Sequence, residues 1–336
     1  MNMEQALEPH DAVAGRWKHL FAPIAVELSA AEAVLRGELR HSDPFIDSLV
    51  KHAFRLGGKR LRPALVLLSA QATGEINDAH IKLAAVVEMI HTATLVHDDV
   101  LDEASLRRHR ETINARNDNE ASVLVGDYLF THAFYLASSL DTTFAARTIG
   151  RATNIVCAGE LRQIHSRGNY TLSEAEYLDI IEAKTAELCA CCCRLGAHYA
   201  GAKIERVETL DRIGRNLGIA FQIADDTLDL VGDERSMGKS LGTDLAKQKL
   251  TLPVIRLLAK TPPDDRPAII DLLRSGDRTS RCRINEQLEQ TGALDYARDK
   301  ARAFAAAARA DAERLADSPA REVLVTLADL VVNRRE

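Results

Sequence analysis

The chain has 336 residues, 46% of them apolar but only 4% aromatic. That length allows one large domain or two ordinary ones, and an apolar fraction carried by alanine and leucine suits close-packed helices better than sheets. A net charge of −6 argues against a general nucleic-acid binder.

The N-terminal stretch MNMEQALEPHDAVAGRWKHL has early acidic residues and no apolar run of the kind a signal peptide needs. Residues 1–13 are expected to be a flexible N-terminus. Asp43-Pro44 reads as an N-cap with proline at the first helical position, opening a helix over 45–56. Gly57-Gly58 ends it and begins a basic loop, Lys59-Arg60-Leu61-Arg62-Pro63. A further helix is predicted over 64–72, and Asn77-Asp78 opens a long one reaching about Asp102. Its apolar stretch 83–96 is the nearest approach to a membrane span, but it falls short of about eighteen residues and contains Glu88 and His91. No transmembrane segment is therefore expected, and the protein is expected to be soluble and cytoplasmic.

Ser173-x-x-Glu176 fits a capping box before a helix running to about Tyr199. Within it, Cys189, Cys191, Cys192 and Cys193 spread around the helix and cannot converge on one metal, so they read as small core hydrophobes. Residues 261–265 form a loop, and 305–308 is an all-alanine run in a helix. Ser318-Pro319 opens a terminal helix with Val323, Leu324, Leu327, Leu330 and Val331 as an apolar stripe. No period-2 segment is long enough to be assigned as a strand. The expected fold is one all-α domain, 1–336, a bundle of long helices around a central cavity.

Two aspartate clusters of identical form stand in these helices: Asp98-Asp99-Val100-Leu101-Asp102 and Asp225-Asp226-Thr227-Leu228-Asp229. In each, the first and last aspartates lie four residues apart and share a helix face. Carboxylates in apolar surroundings are costly unless paired or metal-bound. Two such pairs suit Mg²⁺, which takes hard oxygen ligands and bridges carboxylates to phosphates. A phosphate partner also accounts for the basic residues nearby: Lys59, Arg60 and Arg62 after the glycine turn, Arg107 and Arg108 after the first cluster, Lys239 and Lys249 after the second.

The ordered set GGKRLRP, EMIHTATLVHDDVLDEASLRR, GDYLF, KTAEL, FQIADDTLDL and GKSLGTDLAKQKLTLP resembles the trans-prenyltransferases, the head-to-tail isoprenyl diphosphate synthases. The resemblance spans nearly the whole chain. It implies an enzyme that condenses isopentenyl diphosphate with an allylic prenyl diphosphate, using three Mg²⁺ per site in a homodimer. Asp98, Asp102, Asp225, Asp226 and Asp229 would bind metal, directly or through water. Lys59, Arg62, His91 and Arg108 would hold the isopentenyl diphosphate. Arg107, Lys184 and Lys239 would contact the allylic diphosphate, and Lys249 belongs to the same substrate-binding set. Thr185 and Gln222 would stabilise the developing cation.

The C-terminal segments TGALDYARDKARAFAAAA and SPAREVLVTLADLVVNR resemble the long-chain, octaprenyl-type bacterial members. Small Ala93 and modest Thr94, about one turn before Asp98, would leave a tunnel for the growing tail open, with Ile149 as a deeper floor. The alternatives are a shorter-chain synthase, a class I terpene cyclase and a non-catalytic synthase subunit. Against the last two stand the intact second aspartate motif and the GGKRLRP loop.

Overall fold

The computed structural model describes Trp17 and residues 19–55, 58–108, 110–231 and 243–333. The 1–13 segment and Lys239 lie outside the described residues. The architecture is all-α. Among the described residues, strand is confined to the antiparallel pair Leu106–Arg107 and Arg110–Glu111, two residues on each side and too short for any sequence period to register.

The chain divides into two compact units. One comprises Met1–Ile149, Cys192–Val207 and Ala316–Val323; the other comprises Gly150–Cys191, Glu208–Leu315 and Leu324–Glu336. In the first, helix α1 (Ala25–Glu38) is followed by α2 (Pro44–Arg55), α3 (Leu61–Gln71), α4 (Asp78–Leu101) and α5 (Asn119–Ser138). Helix α4 is the centre, packed by α1, α3 and α5. Leu83, Val86, Val87, Met89, Ile90 and Ala93 along it are at most 1% exposed. By length and composition α4 is the one described helix that could cross a bilayer, yet 67% of its apolar window is buried inside the protein, as a core helix requires.

Asn77 caps α4 as expected: its side chain accepts from the Ala79 and His80 backbone N–H groups, and His80 reaches back to the Asn77 N–H. One expectation is corrected at α3. The basic loop ends early, because the helix begins at Leu61 rather than at residue 64. Pro63 then falls in the first turn, where its missing N–H costs nothing, and Arg62 is carried on the helix.

In the second unit, helix α6 (Phe144–His165, entering from the first unit) precedes α7 (Glu174–Ile181), capped by Ser173 and Glu176 as predicted. The expected continuous helix to Tyr199 is interrupted by a π-helical turn, Glu182–Ala186, before α8 (Glu187–Tyr199). Helix α9 (Ile204–Val231) carries the second aspartate cluster. Two glycines frame the π turn. A Cβ on Gly159 would lie 2.8 Å from the Lys184 backbone N, and one on Gly218 would lie 2.5 Å from the Ala186 Cα. Only glycine lets α6 and α9 approach the turn this closely.

The remaining helices are α10 (Leu252–Lys260), α11 (Arg266–Ser275), α12 (Arg278–Gln290), α13 (Ala293–Ala312) and α14 (Pro319–Val332). Helices α7, α10, α12 and α13 enclose the unit's core, which includes Tyr177, Ile180, Leu257, Leu288 and Ala297. The four clustered cysteines are buried as expected, whereas Cys157 and Cys282 are exposed.

Gly196 on α8 meets α3 within the first unit. A Cβ there would come 2.2 Å from the Val66 carbonyl oxygen and 2.9 Å from Ser69 Cβ. The Gly196 carbonyl also pairs with His80 Nε2 at 3.0 Å. Gly196→Ala is therefore expected to destabilise the fold by about 1–3 kcal/mol through overpacking, read as a fall in the urea midpoint. An unchanged midpoint would remove this contact from the account.

Candidate active site

In the first unit the sequence-selected basic residues gather around one imidazole. The proton affinity of His91, on α4, is held well below the ordinary histidine value. Burial is the largest cause, followed by the positive charges of Arg62, Arg108, Arg107 and Arg60. Arg108 is itself lowered by burial and by repulsion from Arg107. It adopts φ 52° and folds against Gly58, where a Cβ would sit 2.3 Å from its Nη2.

These arginines have unequal partners. Arg60, at φ 53° ahead of α3, pairs with the buried Glu88 at 2.5 Å and with Glu32 at 3.3 Å. Arg107 donates from Nε to Asp99 Oδ1 at 2.8 Å. Lys59 stands 5.1 Å from the centre of the Trp17 ring. The Arg62 Nε is buried and has no hydrogen-bond partner among the described residues. It lies in the first turn of α3, at the positive end of the helix dipole. A buried donor there, beside other cations, is suited to an anion.

Asp98 and Asp102 lie half-buried one turn apart at the end of α4, and the Asp102 N–H donates to the Asp98 carbonyl at 2.8 Å. The middle aspartate turns inward: Asp99 is 2% exposed and anchors Arg107. Further up the helix, Ala93 is fully buried, and Thr94 Oγ1 donates to the His91 carbonyl at 2.8 Å. Ile149 on α6 is also fully buried.

The second unit assembles the other predicted residues. Lys184 lies on the π turn and pairs with Glu160 at 2.5 Å. Thr185 Oγ1 donates to Gln222 Oε1 at 2.8 Å, and Gln222 Nε2 donates to Asp226 Oδ1 at 2.8 Å. Asp226 is 1% exposed; it also accepts from the Tyr177 hydroxyl at 2.7 Å and from Lys249 Nζ at 3.3 Å. Lys249 reaches Asp244 as well, at 3.1 Å. The two carboxylates hold the Lys249 ammonium far above its ordinary proton affinity, against the cost of burial. Burial in turn pushes the Asp226 carboxyl up, and Lys249 opposes that rise. Asp229 is buried, accepting from Thr243 Oγ1 and the Asp244 N–H, both at 3.1 Å. Asp225 is half-buried.

Asp99, Glu160, Tyr177 and Asp244 were not singled out from the sequence. Tyr177 gave no signal beyond an apolar helix position. Asp244 lay in a segment already quoted for its lysines.

Among the described residues no group of three His, Cys, Asp or Glu side chains could hold a metal by itself. That fits Mg²⁺ all the same, because it commonly binds through one or two carboxylates, with waters and substrate phosphates completing its shell. The donors offered are uniformly hard oxygens.

Residues 43–290 match the family model for polyprenyl synthetases. The chain is 35% identical over 311 residues to the octaprenyl diphosphate synthase of Escherichia coli (strain K12), covering 92% of this chain and 96% of that one. A crystal structure of a decaprenyl diphosphate synthase from Rhodobacter capsulatus superposes with a TM-score of 0.89 at 36% identity, covering 95% of this chain and 99% of that one. A polyprenyl synthase from Caulobacter crescentus, complexed with calcium and isoprenyl diphosphate, gives the same TM-score and identity, with 96% and 98% covered. The chain belongs to the polyprenyl synthetase family. It is a prenyltransferase, a polyprenyl diphosphate synthase.

The unequal arginine partners give a direct test. Arg62→Ala is expected to weaken inorganic diphosphate binding, measured by calorimetry, by about 1.5–3 kcal/mol with little loss of stability. Arg60→Ala leaves the buried Glu88 without its cation and is expected to cost about 3 kcal/mol of folding stability instead. Equal effects of the two variants on both measurements would refute the division.

Proposed function

We propose that this protein is a long-chain trans-prenyl diphosphate synthase, octaprenyl-like in product, which condenses isopentenyl diphosphate with an allylic diphosphate. The observation that carries the reading is the buried, unpartnered Arg62 Nε inside an arginine cluster around a neutral His91. A buried donor left over among such cations favours a highly charged anion. Arg62, Arg108, Lys59 and His91 hold the isopentenyl diphosphate. Arg107, Lys184 and Lys239 hold the allylic diphosphate. Lys249, with its ammonium between Asp226 and Asp244, serves the site by fixing those carboxylates.

Asp98, Asp102, Asp225, Asp226 and Asp229 would hold Mg²⁺ in this reading, directly or through water. When bound, Mg²⁺ neutralises charge on the departing diphosphate. The lysines and arginines add stabilisation where that charge develops. Thr185 and Gln222 face the allylic cation with oxygen lone pairs. The isopentenyl double bond, anchored through its own diphosphate, is held close enough to attack. Proton loss to the departing diphosphate completes the unit, and the apolar surroundings of α4 keep out water that would quench the cation. The active species in this reading is a homodimer, as the family resemblance implies, working in the cytoplasm.

Asp98→Ala and Asp225→Ala are each expected to lower isopentenyl diphosphate incorporation by about a hundredfold or more. The thermal midpoint should change little, since relief of carboxylate repulsion offsets lost contacts. EDTA should abolish turnover and Mg²⁺ restore it; full turnover in EDTA would overturn the metal assignment.

Product length is the second test. Ala93 is fully buried one turn before Asp98, where a larger side chain would close the path of the tail. Ala93→Tyr should shift the products, sized by chromatography, toward farnesyl or geranylgeranyl length while isopentenyl turnover persists. An unfolded variant would mean that Ala93 serves helix packing. A folded, active variant with unchanged product would remove Ala93 from the tunnel.

A further inference from the structure

The hydrogen bonds from Thr185 through Gln222 to Asp226 run in one direction, and the direction has a single source. An ionised carboxylate only accepts. Gln222 must then turn its NH₂ group to Asp226 Oδ1, at 2.8 Å, and its Oε1 to Thr185, also at 2.8 Å. Thr185 spends its one proton on that Oε1, so its oxygen has only lone pairs left to offer. With the amide reversed, Gln222 would donate to Thr185, and the hydroxyl would present its proton instead. A proton is the wrong pole for a developing cation.

Two groups besides Gln222 hold Asp226 in place. Lys249 is shared with Asp244 and reaches Oδ1 at 3.3 Å. The Tyr177 hydroxyl holds the opposite oxygen, Oδ2, at 2.7 Å. Tyr177 and Asp226 are each 1% exposed, and Thr185 is 8% exposed. Tyr177 is the last residue but four of α7, with the π turn carrying Thr185 directly after that helix. One short segment thus supplies both the first and the last group of the chain of bonds.

We propose that Tyr177 is a positioning residue for prenyl transfer: by fixing the place of the Asp226 carboxylate it keeps the Gln222 NH₂ group on that acceptor, and with it the Thr185 lone pairs available to positive charge. The inference rests on the reading of Thr185 given under the proposed function. Tyr177 touches no reacting atom. Without its hydroxyl, the carboxylate can rotate toward Lys249, and Gln222 loses the fixed acceptor that holds its NH₂ group and, through it, Thr185 in place.

Tyr177→Phe removes the hydroxyl and leaves the ring in the core. It is expected to lower kcat about tenfold, while KM for isopentenyl diphosphate stays within about twofold. Magnesium-dependent binding of inorganic diphosphate, measured by calorimetry, should be unchanged. Thr185→Val should also lower kcat, and adding Tyr177→Phe to it should cost less than about twofold more, because both changes break the same device. A further tenfold loss in the double variant would overturn the proposal, since a general structural defect adds in that way. Weakened diphosphate binding in Tyr177→Phe would also overturn it, by showing that the hydroxyl acts through the metal site. A wild-type protein that fails to condense the two diphosphates would take down the prenyl-transfer reading itself, whatever the variants do.

Discussion

Charge crowding is the constraint on which the first unit is arranged. Arg60, Arg62, Arg107 and Arg108 all raise the cost of a positive charge on His91. Left alone, such a group of cations near a helix N-terminus would oppose folding. The structure limits the cost by pairing some of them within the protein: Arg60 with Glu88 and Glu32, Arg107 with Asp99. His91 contributes by staying neutral. Arg62 keeps a buried donor unspent, and an unspent donor beside other cations is suited to an anion. The large core helix α4 makes this possible, because its packed face holds Glu88, His91 and Asp99 at fixed positions while its end carries Asp98 and Asp102.

The second unit meets the inverse problem, a buried negative charge, with a different device. Asp226 is almost fully buried, and three donors converge on it. A fully satisfied buried network of this kind fixes side-chain directions more firmly than its separate bonds would. The π turn belongs to the same device. Glycines on α6 and α9 admit it at close range, and it brings Lys184 and Thr185 out of an otherwise regular helix. Arg215 secures the turn by pairing with Glu182 and Glu187.

Much of this was legible in the sequence, and the boundary has a physical cause. The caps at Asn77 and Ser173 are local hydrogen bonds between residues three apart, so sequence spacing alone finds them. The aspartate clusters could be read because four-residue spacing on a helix puts their ends on one face. The start of α3 could not, because whether Arg62 lies in a loop or a first turn depends on how its neighbours are packed. The π turn was equally hidden: the glycines that make room for it lie 25 and 32 residues away, on the helices that press against it. Lys249 was read as a substrate contact from its charge. Its position between Asp226 and Asp244 depends on a loop closure that no local pattern records.

The two aspartate motifs look alike as sequence, yet the structure divides their work differently. In both, the second aspartate lies about 100° round the helix from the first, turns inward and holds a cation from further along the chain. Asp99 holds Arg107 and Asp226 holds Lys249. The likeness stops at the final position. Asp102 stays half-buried at the end of α4, whereas Asp229 is buried and accepts from Thr243 and Asp244. The first motif therefore has two half-buried carboxylates, one turn apart, with one aspartate turned inward to Arg107. The second buries two and leaves Asp225 half-buried. Identical spacing requires only that the helix present the same faces. What packs against each face decides how deeply each carboxylate is buried and which cation it meets.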